Sequence, residues 1–69
     1  MNMFAVKLKE ARIKAGFTQE QVSIKINTAR SNISKYENGE LEPNLLTLKK
    51  LMKLYKVDAN YLFNTEEDE

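Results

Sequence analysis

Two short segments with helical spacing of apolar residues lie next to each other in residues 18–38, and only two residues separate them. The residues that share an inward face at this spacing are Val22, Ser23 and Ile26 in the first segment and Ala29, Ile33 and Tyr36 in the second. Asn27 and Thr28 form the break, and Asn tolerates the left-handed conformation that a tight turn between helices requires. The pattern therefore predicts a pair of helices joined by a tight turn.

The residues on both sides of this pair also have helical spacing, with recognisable start and stop signals. Gly16 ends the first helix, Thr18 and Gln21 have the spacing of a capping box, Pro43 lies near the first turn of the fourth helix, and Asp58 caps the last one. No segment shows the period-two alternation of a strand, so the predicted fold class is all-α. The predicted bounds are residues 3–15, 18–25, 29–37, 43–55 and 58–63. The other inward faces are Phe4, Leu8, Ala11 and Ala15 in the first helix and Leu45, Leu48, Leu51, Met52 and Tyr55 in the fourth.

The length of 69 residues limits the chain to one small domain. At this size only about 60% of the unfolded chain's surface is buried on folding, so self-association is expected to add stability. We predict one domain in residues 1–63 and an acidic disordered tail in residues 64–69. The sequence has no cysteine, no apolar run of about 18 residues and no signal-peptide pattern, so a cytoplasmic location is expected.

The net charge of +1 conceals an uneven distribution of charge along the chain. All eleven Lys and Arg residues lie in residues 1–63, whereas four of the ten acidic residues lie in the tail, which leaves residues 1–63 with a net charge of +5. A mildly basic domain is compatible with nucleic-acid binding, but many such domains bind none. We interpret the tail as a solvated end. The alternative is that its negative charge repels DNA and so limits non-specific binding.

Patterns that indicate catalysis or metal binding are missing from the sequence. The chain contains no His and no Cys, which excludes a His or Cys nucleophile and the usual zinc ligands. It also lacks a Gly-rich phosphate loop and a placed pair of acidic residues. We therefore expect no enzymatic activity, no cofactor, no metal site and no small-molecule ligand.

The segment FTQEQVSIKINTARSNISKYENGELEP resembles the helix-turn-helix family of Cro and the phage repressors, also called the Xre family. The resemblance extends over residues 8–63. The residues that carry it are Thr18 and Gln19 at the start of the second helix, Ile33 and Ser34 in the third, Glu37, Asn38 and Gly39 at its end, and Pro43 at the fourth. It implies a compact five-helix lambda-repressor-like domain in which helices 2 and 3 form the helix-turn-helix.

The same resemblance implies which residues contact double-stranded DNA. Family members commonly bring the first, second and sixth residues of the recognition helix to base edges, and counted from Arg30 these are Arg30, Ser31 and Lys35. An Arg side chain donates two hydrogen bonds to guanine O6 and N7, which suits this role; contact of Arg30 with a phosphate or with solvent alone is the alternative. Contacts to the DNA backbone are expected from Gln19, Ser34, Asn38, Lys14 and Lys25. The competing interpretation for Gln19 is that it only favours helix initiation. For Asn38 it is that the residue only ends the helix.

The family often joins the first and third helices by an ion pair, and the matching residues here are Arg12 and Glu37. Each lies beside an apolar stripe, where a lone charge would be expensive to bury. We expect this pair to be structural and to hold the recognition helix on the rest of the domain.

Dimerisation is also implied, because a single domain of this size reads few base pairs. A two-fold dimer places two recognition helices about 34 Å apart in successive major grooves. The expected self-association patch is Tyr61, Leu62 and Phe63, with Leu54 or Leu46 from the fourth helix. Closure of the monomer core is the competing interpretation, particularly for Leu62.

Four positions depart from the family pattern. Asn27 stands where Gly is usual, and Ala29 stands where Ser or Thr is frequent, so Thr28 is expected to cap the third helix. Glu40 and Glu42 follow the turn at which basic residues often hold phosphates. We expect these two acidic residues to weaken the grip on DNA.

Two functions follow from these observations. The first is a sequence-specific, double-stranded DNA-binding transcriptional regulator, a repressor of phage or mobile-element type that binds a near-palindromic operator as a homodimer through the major groove. The alternative is a protein-interaction module on the same scaffold, such as an antitoxin or a bridging coactivator. The alternative predicts that Phe63→Ala abolishes the activity and that Arg30→Ala leaves it intact.

Overall fold

The computed structural model describes residues 2–63, which form helices and connecting loops without a strand. Within these residues the helices are α1 (Met3–Ala15), α2 (Gln19–Lys25), α3 (Arg30–Asn38), α4 (Leu45–Tyr55) and α5 (Ala59–Phe63). The prediction of an all-α fold with five helices is thereby confirmed for the described part of the chain. The predicted acidic tail of residues 64–69 lies outside the described residues.

Polar side chains cap the starts of α1, α2, α4 and α5. In each case the residue before the helix accepts a hydrogen bond from a backbone N–H three residues later. The donor–acceptor distances are 3.1 Å for Asn2 and Ala5, 3.1 Å for Thr18 and Gln21, 2.8 Å for Asn44 and Thr47, and 3.0 Å for Asp58 and Tyr61. Thr18 N–H donates in return to Gln21 Oε1 at 2.9 Å, so the predicted capping box is confirmed. Because Asn44 is the cap of α4, Pro43 lies outside that helix, which corrects its predicted start.

A residue in the left-handed conformation turns the chain between α2 and α3. Asn27 has φ 59°, and the N–H of Thr28 donates to Ser23 O at 2.8 Å. Ala29 stands at the N-cap of α3 without a side-chain hydrogen bond. The Thr28 hydroxyl accepts from the Asn32 side chain at 3.0 Å, so it is not engaged with the helix backbone. The expectation that Thr28 caps α3 is therefore wrong, while the expected turn at Asn27 is present.

Each helix of residues 2–63 contributes one large, fully buried apolar side chain to the core. These side chains are Leu8, Val22, Ile33, Leu51 and Leu62. Full burial of a side chain of this size contributes about 1.5 to 3 kcal/mol. The two helices of the helix-turn-helix therefore depend on the same core as the other three described helices.

Three of the residues predicted to face inward are exposed, and one of them is Ala15 at the end of α1. Ala29 precedes α3 with an extended backbone, so it does not continue the stripe of that helix. Leu45 is 66% exposed because it lies about 120° around the axis of α4 from the buried Leu51. The apolar face of α4 is consequently narrower than its sequence indicates.

Helix α1 is the scaffold of the domain, because it packs against α3, α4 and α5. Helix α2 packs against α3. The contact between α1 and α3 therefore holds the helix-turn-helix against the rest of the domain. Among residues 2–63, no helix combines the length and the apolar character that a membrane span requires.

Candidate nucleic-acid interface

A shallow groove of about 380 Å³ lies between the start of α2 and the outer face of α3. The residues that line it are Gln19, Arg30, Ser31, Ser34, Lys35, Asn38 and Glu40. All three residues expected at base edges are in this set, together with three of the five expected at the DNA backbone. We call this surface the recognition groove.

The helical period explains why these side chains share one surface. Residues of α3 that are four apart lie one above the other, so Arg30, Ser34 and Asn38 form one row, and Ser31 and Lys35 form the next. The opposite side of α3 carries the buried part of the helix. The short polar residues of this segment thus form the rim of a groove and leave room for a ligand to approach the helix.

An ion pair between Arg12 and Glu37 lies directly beneath this surface. Arg12 Nε donates to Glu37 Oε2 at 2.7 Å, and Arg12 Nη2 donates to Glu37 Oε1 at 3.1 Å. The two side chains are only 11% and 4% exposed. Arg12 Nη1 also donates to the carbonyl oxygen of Phe17 at 2.9 Å. The predicted pair is thus present, and it ties α1 to α3 and to the loop before α2.

Hydrogen bonding with Glu37 raises the pKa of Arg12 above its ordinary value, and this effect outweighs the opposing effect of burial. Tyr55 lies close to the same pair. Burial is the main cause that raises the pKa of Tyr55 above its ordinary value, and the negative charge of Glu37 adds to the shift. The fold therefore favours a charged Arg12 and a neutral Tyr55 beneath the groove.

Gln19 is joined to this network. Its Nε2 donates to Glu37 Oε1 at 3.1 Å, so one carboxylate accepts hydrogen bonds from α1 and from the first residue of α2. The family resemblance places Gln19 at a DNA phosphate and does not predict this bond. A Gln side chain has two N–H groups and a carbonyl oxygen, so Gln19 retains hydrogen-bonding capacity at the edge of the recognition groove.

Lys14 and Lys25, the other expected backbone contacts, lie beside different surfaces. Lys14 Nζ is 5.7 Å from the centre of the Tyr61 ring. Lys25 Nζ is 5.7 Å from the centre of the Phe17 ring and borders a separate cavity between α2 and α4. The structure does not bring these two lysines together with the residues of the recognition groove.

The three residues of the expected self-association patch have different environments. Leu62 is 2% exposed and belongs to the core, so its assignment to a surface patch is corrected. Tyr61 is half-buried, and Lys7 Nζ lies 5.4 Å from the centre of its ring. Phe63 is 54% exposed and stacks on Phe4, with 4.9 Å between the ring centres. Only Phe63 among the three presents a large apolar side chain at the surface.

The two acidic residues that depart from the family pattern are also separated in space. Glu40 lines the recognition groove. Glu42 lines another cavity, which includes Phe4, Pro43 and Phe63. We expected both residues to weaken the grip on DNA, whereas the fold places only Glu40 beside the expected DNA contacts.

Comparison with known proteins places this arrangement in a family. The profile of a helix-turn-helix domain family matches residues 6–68. This chain belongs to the helix-turn-helix domain family. The resemblance seen in the sequence is therefore confirmed, and the family is a DNA-binding class without enzymatic activity, as expected.

This helix-turn-helix domain is similar to several transcriptional regulators. It is 44% identical over 61 residues to the HTH-type transcriptional regulator ImmR of Bacillus subtilis (strain 168), a match that covers 88% of this chain and 48% of that protein. It is 36% identical over 64 residues to the HTH-type transcriptional activator BcrR of Enterococcus faecalis, covering 93% of this chain and 31% of that protein.

The Cryptic phage CTXphi transcriptional repressor RstR of Vibrio cholerae is 32% identical over 65 residues, which cover 94% of this chain and 59% of RstR. The helix-turn-helix chain thus spans about half the length of ImmR and somewhat more of RstR. These similarities concern the domain that carries the recognition groove.

Proposed function

We propose that this chain acts as a sequence-specific transcriptional regulator that binds double-stranded DNA through its recognition groove. The observation that carries the proposal is the composition of that groove. Six residues were assigned to DNA contacts from their positions in the sequence. All six line one continuous surface, although they come from two different helices. Family membership supports the same conclusion, since related helix-turn-helix domains occur in transcriptional regulators.

The chemistry of α3 suits the reading of base edges in the major groove. Arg30 and Ser31 lie in the first turn of the helix, where helix-turn-helix proteins approach the bases. Arg30 can donate two hydrogen bonds to guanine O6 and N7, and Lys35 can donate singly to the same acceptors one turn later. Ser31 pairs with several bases and adds less discrimination.

Contacts to the DNA backbone come, in this proposal, from neutral side chains at the ends of the groove. Gln19 is held in place by Glu37 and has a further N–H to donate to a phosphate. Ser34 and Asn38 lie 3.5 Å apart, from Oγ to Nδ2, on the outer face of α3. Such contacts fix the register of the protein on DNA without adding sequence information.

The proposal includes a homodimer on a near-palindromic operator. The exposed Phe63 ring, supported by Phe4, supplies an apolar surface for self-association. Leu46 is 65% exposed and offers further apolar area on α4. A two-fold dimer accounts for how so small a domain distinguishes one operator from other DNA.

We propose repression as the direction of regulation, exerted in the cytoplasm by covering a promoter and without a cofactor or small-molecule ligand. The similarity to RstR, which is named a repressor, supports this direction. BcrR is named an activator, so the direction must be measured on the regulated promoter.

Selection of duplexes from a random DNA pool tests the proposal. The purified chain is used at about physiological salt, where non-specific dissociation constants are about 10⁻⁴ to 10⁻⁶ M. Enrichment of a near-palindrome with half-sites one helical turn apart supports a dimeric operator-binding protein. Recovery of no sequence by folded protein contradicts the proposal and favours the protein-interaction module instead.

A further inference from the structure

Glu40 is the acidic member of the recognition groove, and the end of α3 fixes its position. Gly39 has φ 79° and reverses the chain after the helix. The N–H of Glu40 then donates to Lys35 O at 2.9 Å, and the N–H of Gly39 donates to Tyr36 O at 3.4 Å. These paired bonds form the Schellman arrangement that ends many helices. The backbone of Glu40 is therefore held beside Lys35 rather than at the tip of a free loop.

The stability of the fold does not explain an acidic residue at this place. The last carbonyl groups of a helix carry partial negative charge, so a carboxylate beside them is unfavourable. Within residues 2–63, Glu40 forms no ion pair, and neither do Arg30 and Lys35 in the same groove. The carboxylate of Glu40 is thus not paired with either cation of the recognition groove, the surface proposed to face DNA.

The geometry points to Glu40 as the residue that limits electrostatic attraction between the recognition groove and DNA phosphates. This inference rests on the proposed function. Arg30 and Lys35 alone would give the groove a charge of +2, and Glu40 lowers it to +1. Phosphate attraction supplies essentially all of the non-specific binding energy, whereas base contacts add the specific part. Glu40 therefore keeps binding to random sequence weak and makes stable binding depend on the base contacts of Arg30.

Neutralisation of Glu40 tests the inference, with neutralisation of an acidic residue elsewhere as the control. Glu40→Gln keeps the size and polarity of the side chain and removes its charge. Glu10→Gln makes the same change on the exposed surface of α1, outside the groove. Both side chains are exposed, so both variants should fold, and circular dichroism and thermal unfolding verify this. Glu42 is a less suitable control because it borders the Phe63 surface.

The measurement is the affinity of each variant for a random-sequence duplex and for the selected operator between 50 and 200 mM salt. Each additional phosphate that the protein neutralises makes the slope of log K against log salt steeper by about 0.9. This corresponds to a gain in affinity of up to about 15-fold at 50 mM salt and about fourfold at 200 mM salt. We expect Glu40→Gln to bind the random duplex more tightly than Glu10→Gln does, with a gain that shrinks as salt rises. The gain for the operator should be equal or smaller.

Three results would overturn the inference. The first is equal affinity and equal salt slope for Glu40→Gln and Glu10→Gln. The second is weaker operator binding by Glu40→Gln, which would assign Glu40 to a base edge such as the amino group of cytosine. In both cases the wild-type chain still selects an operator, so the proposed function stands. The third is failure of the folded wild-type chain to bind any duplex, which overturns the proposed function and this inference together.

Discussion

Gln19 and Glu37 join the two helices of the helix-turn-helix, because Gln19 Nε2 at the start of α2 lies 3.1 Å from Glu37 Oε1 near the end of α3. The same oxygen accepts from Arg12 of α1 at 3.1 Å. One buried carboxylate therefore sets the relative positions of α1, α2 and α3. The side chains of the recognition groove therefore lie above a network that links the three helices.

Removal of one partner of the Arg12–Glu37 pair should destabilise the domain. Either Arg12→Ala or Glu37→Ala leaves a buried charge without its partner, and we expect a loss of about 3 to 5 kcal/mol in the free energy of unfolding. Urea unfolding of both single variants and the double variant gives the coupling energy. Lys9→Ala, at an exposed position of α1, is the control. Near-zero coupling would contradict a structural role for the pair.

Gln19→Ala should affect both stability and DNA binding. The variant loses a hydrogen bond to a charged acceptor, which costs about 1.5 kcal/mol for a partly buried group. It should also weaken binding to operator and to random duplexes by the same factor, because a phosphate contact carries no sequence information. Urea unfolding and duplex titration measure the two effects. A loss confined to the operator would assign Gln19 to a base instead.

Arg30→Ala should reduce sequence preference without affecting the fold. The side chain is exposed, so its removal leaves the core unchanged. We expect a loss of about 1 to 3 kcal/mol on the selected duplex and a relaxed choice of base at one position of each half-site. Competition titration with single-base variants of the duplex measures this. Lys49→Ala, at an exposed site of α4 outside the groove, should retain the preference of the wild type.

The buried Tyr55 should make the domain less stable at alkaline pH. Its folded pKa is raised above the ordinary value of about 10, so the unfolded chain loses this proton first. Neutral Tyr55 therefore contributes its full share of the folding stability below about pH 10. Above this pH the free energy of unfolding falls by about 1.4 kcal/mol per pH unit until the folded pKa is reached. Urea unfolding between pH 9 and 11 measures the slope. Tyr55→Phe should lack this loss, and identical slopes for both proteins would contradict the assignment.

Phe63→Glu should prevent self-association while leaving the monomer folded, because the ring is 54% exposed. Sedimentation with and without the selected duplex measures the oligomeric state. Operator binding should become weaker and lose its cooperativity. Ile13→Glu changes another exposed apolar residue, on α1, and should preserve the dimer. A stable Phe63→Glu dimer would place the contact elsewhere.

Features that depend on neighbouring residues could be predicted from the sequence. The capping box of Thr18 and Gln21 and the turn at Asn27 were found in this way, since each depends on a few adjacent residues. The positions of Lys14 and Lys25 could not be, because they depend on the directions in which packed helices carry long side chains. The bond from Gln19 to Glu37 joins residues that are 18 apart, and no local pattern signals it.

The family resemblance predicted the composition of the groove better than the chemistry of individual residues did. It assigned Arg30, Ser31 and Lys35 to one face by their places in α3, and helical geometry brings such places together. Leu62 was assigned to a patch from its apolar character, because the chain has more apolar surface than so small a core easily buries, with closure of the core as the alternative. The packing of α5 against α1 decides whether Leu62 is buried or exposed.

The single core that all five described helices share has a consequence for the lifetime of the protein. When α5 detaches, Leu62 leaves a gap in the core cluster that also contains Leu8, Ile33 and Leu51, and this gap destabilises the helices that remain. Backbone amides in α3 should then exchange their hydrogens only when the whole domain opens. A protease that acts only on the opened chain would then degrade whole domains, so the amount of folded domain would follow its global free energy of unfolding.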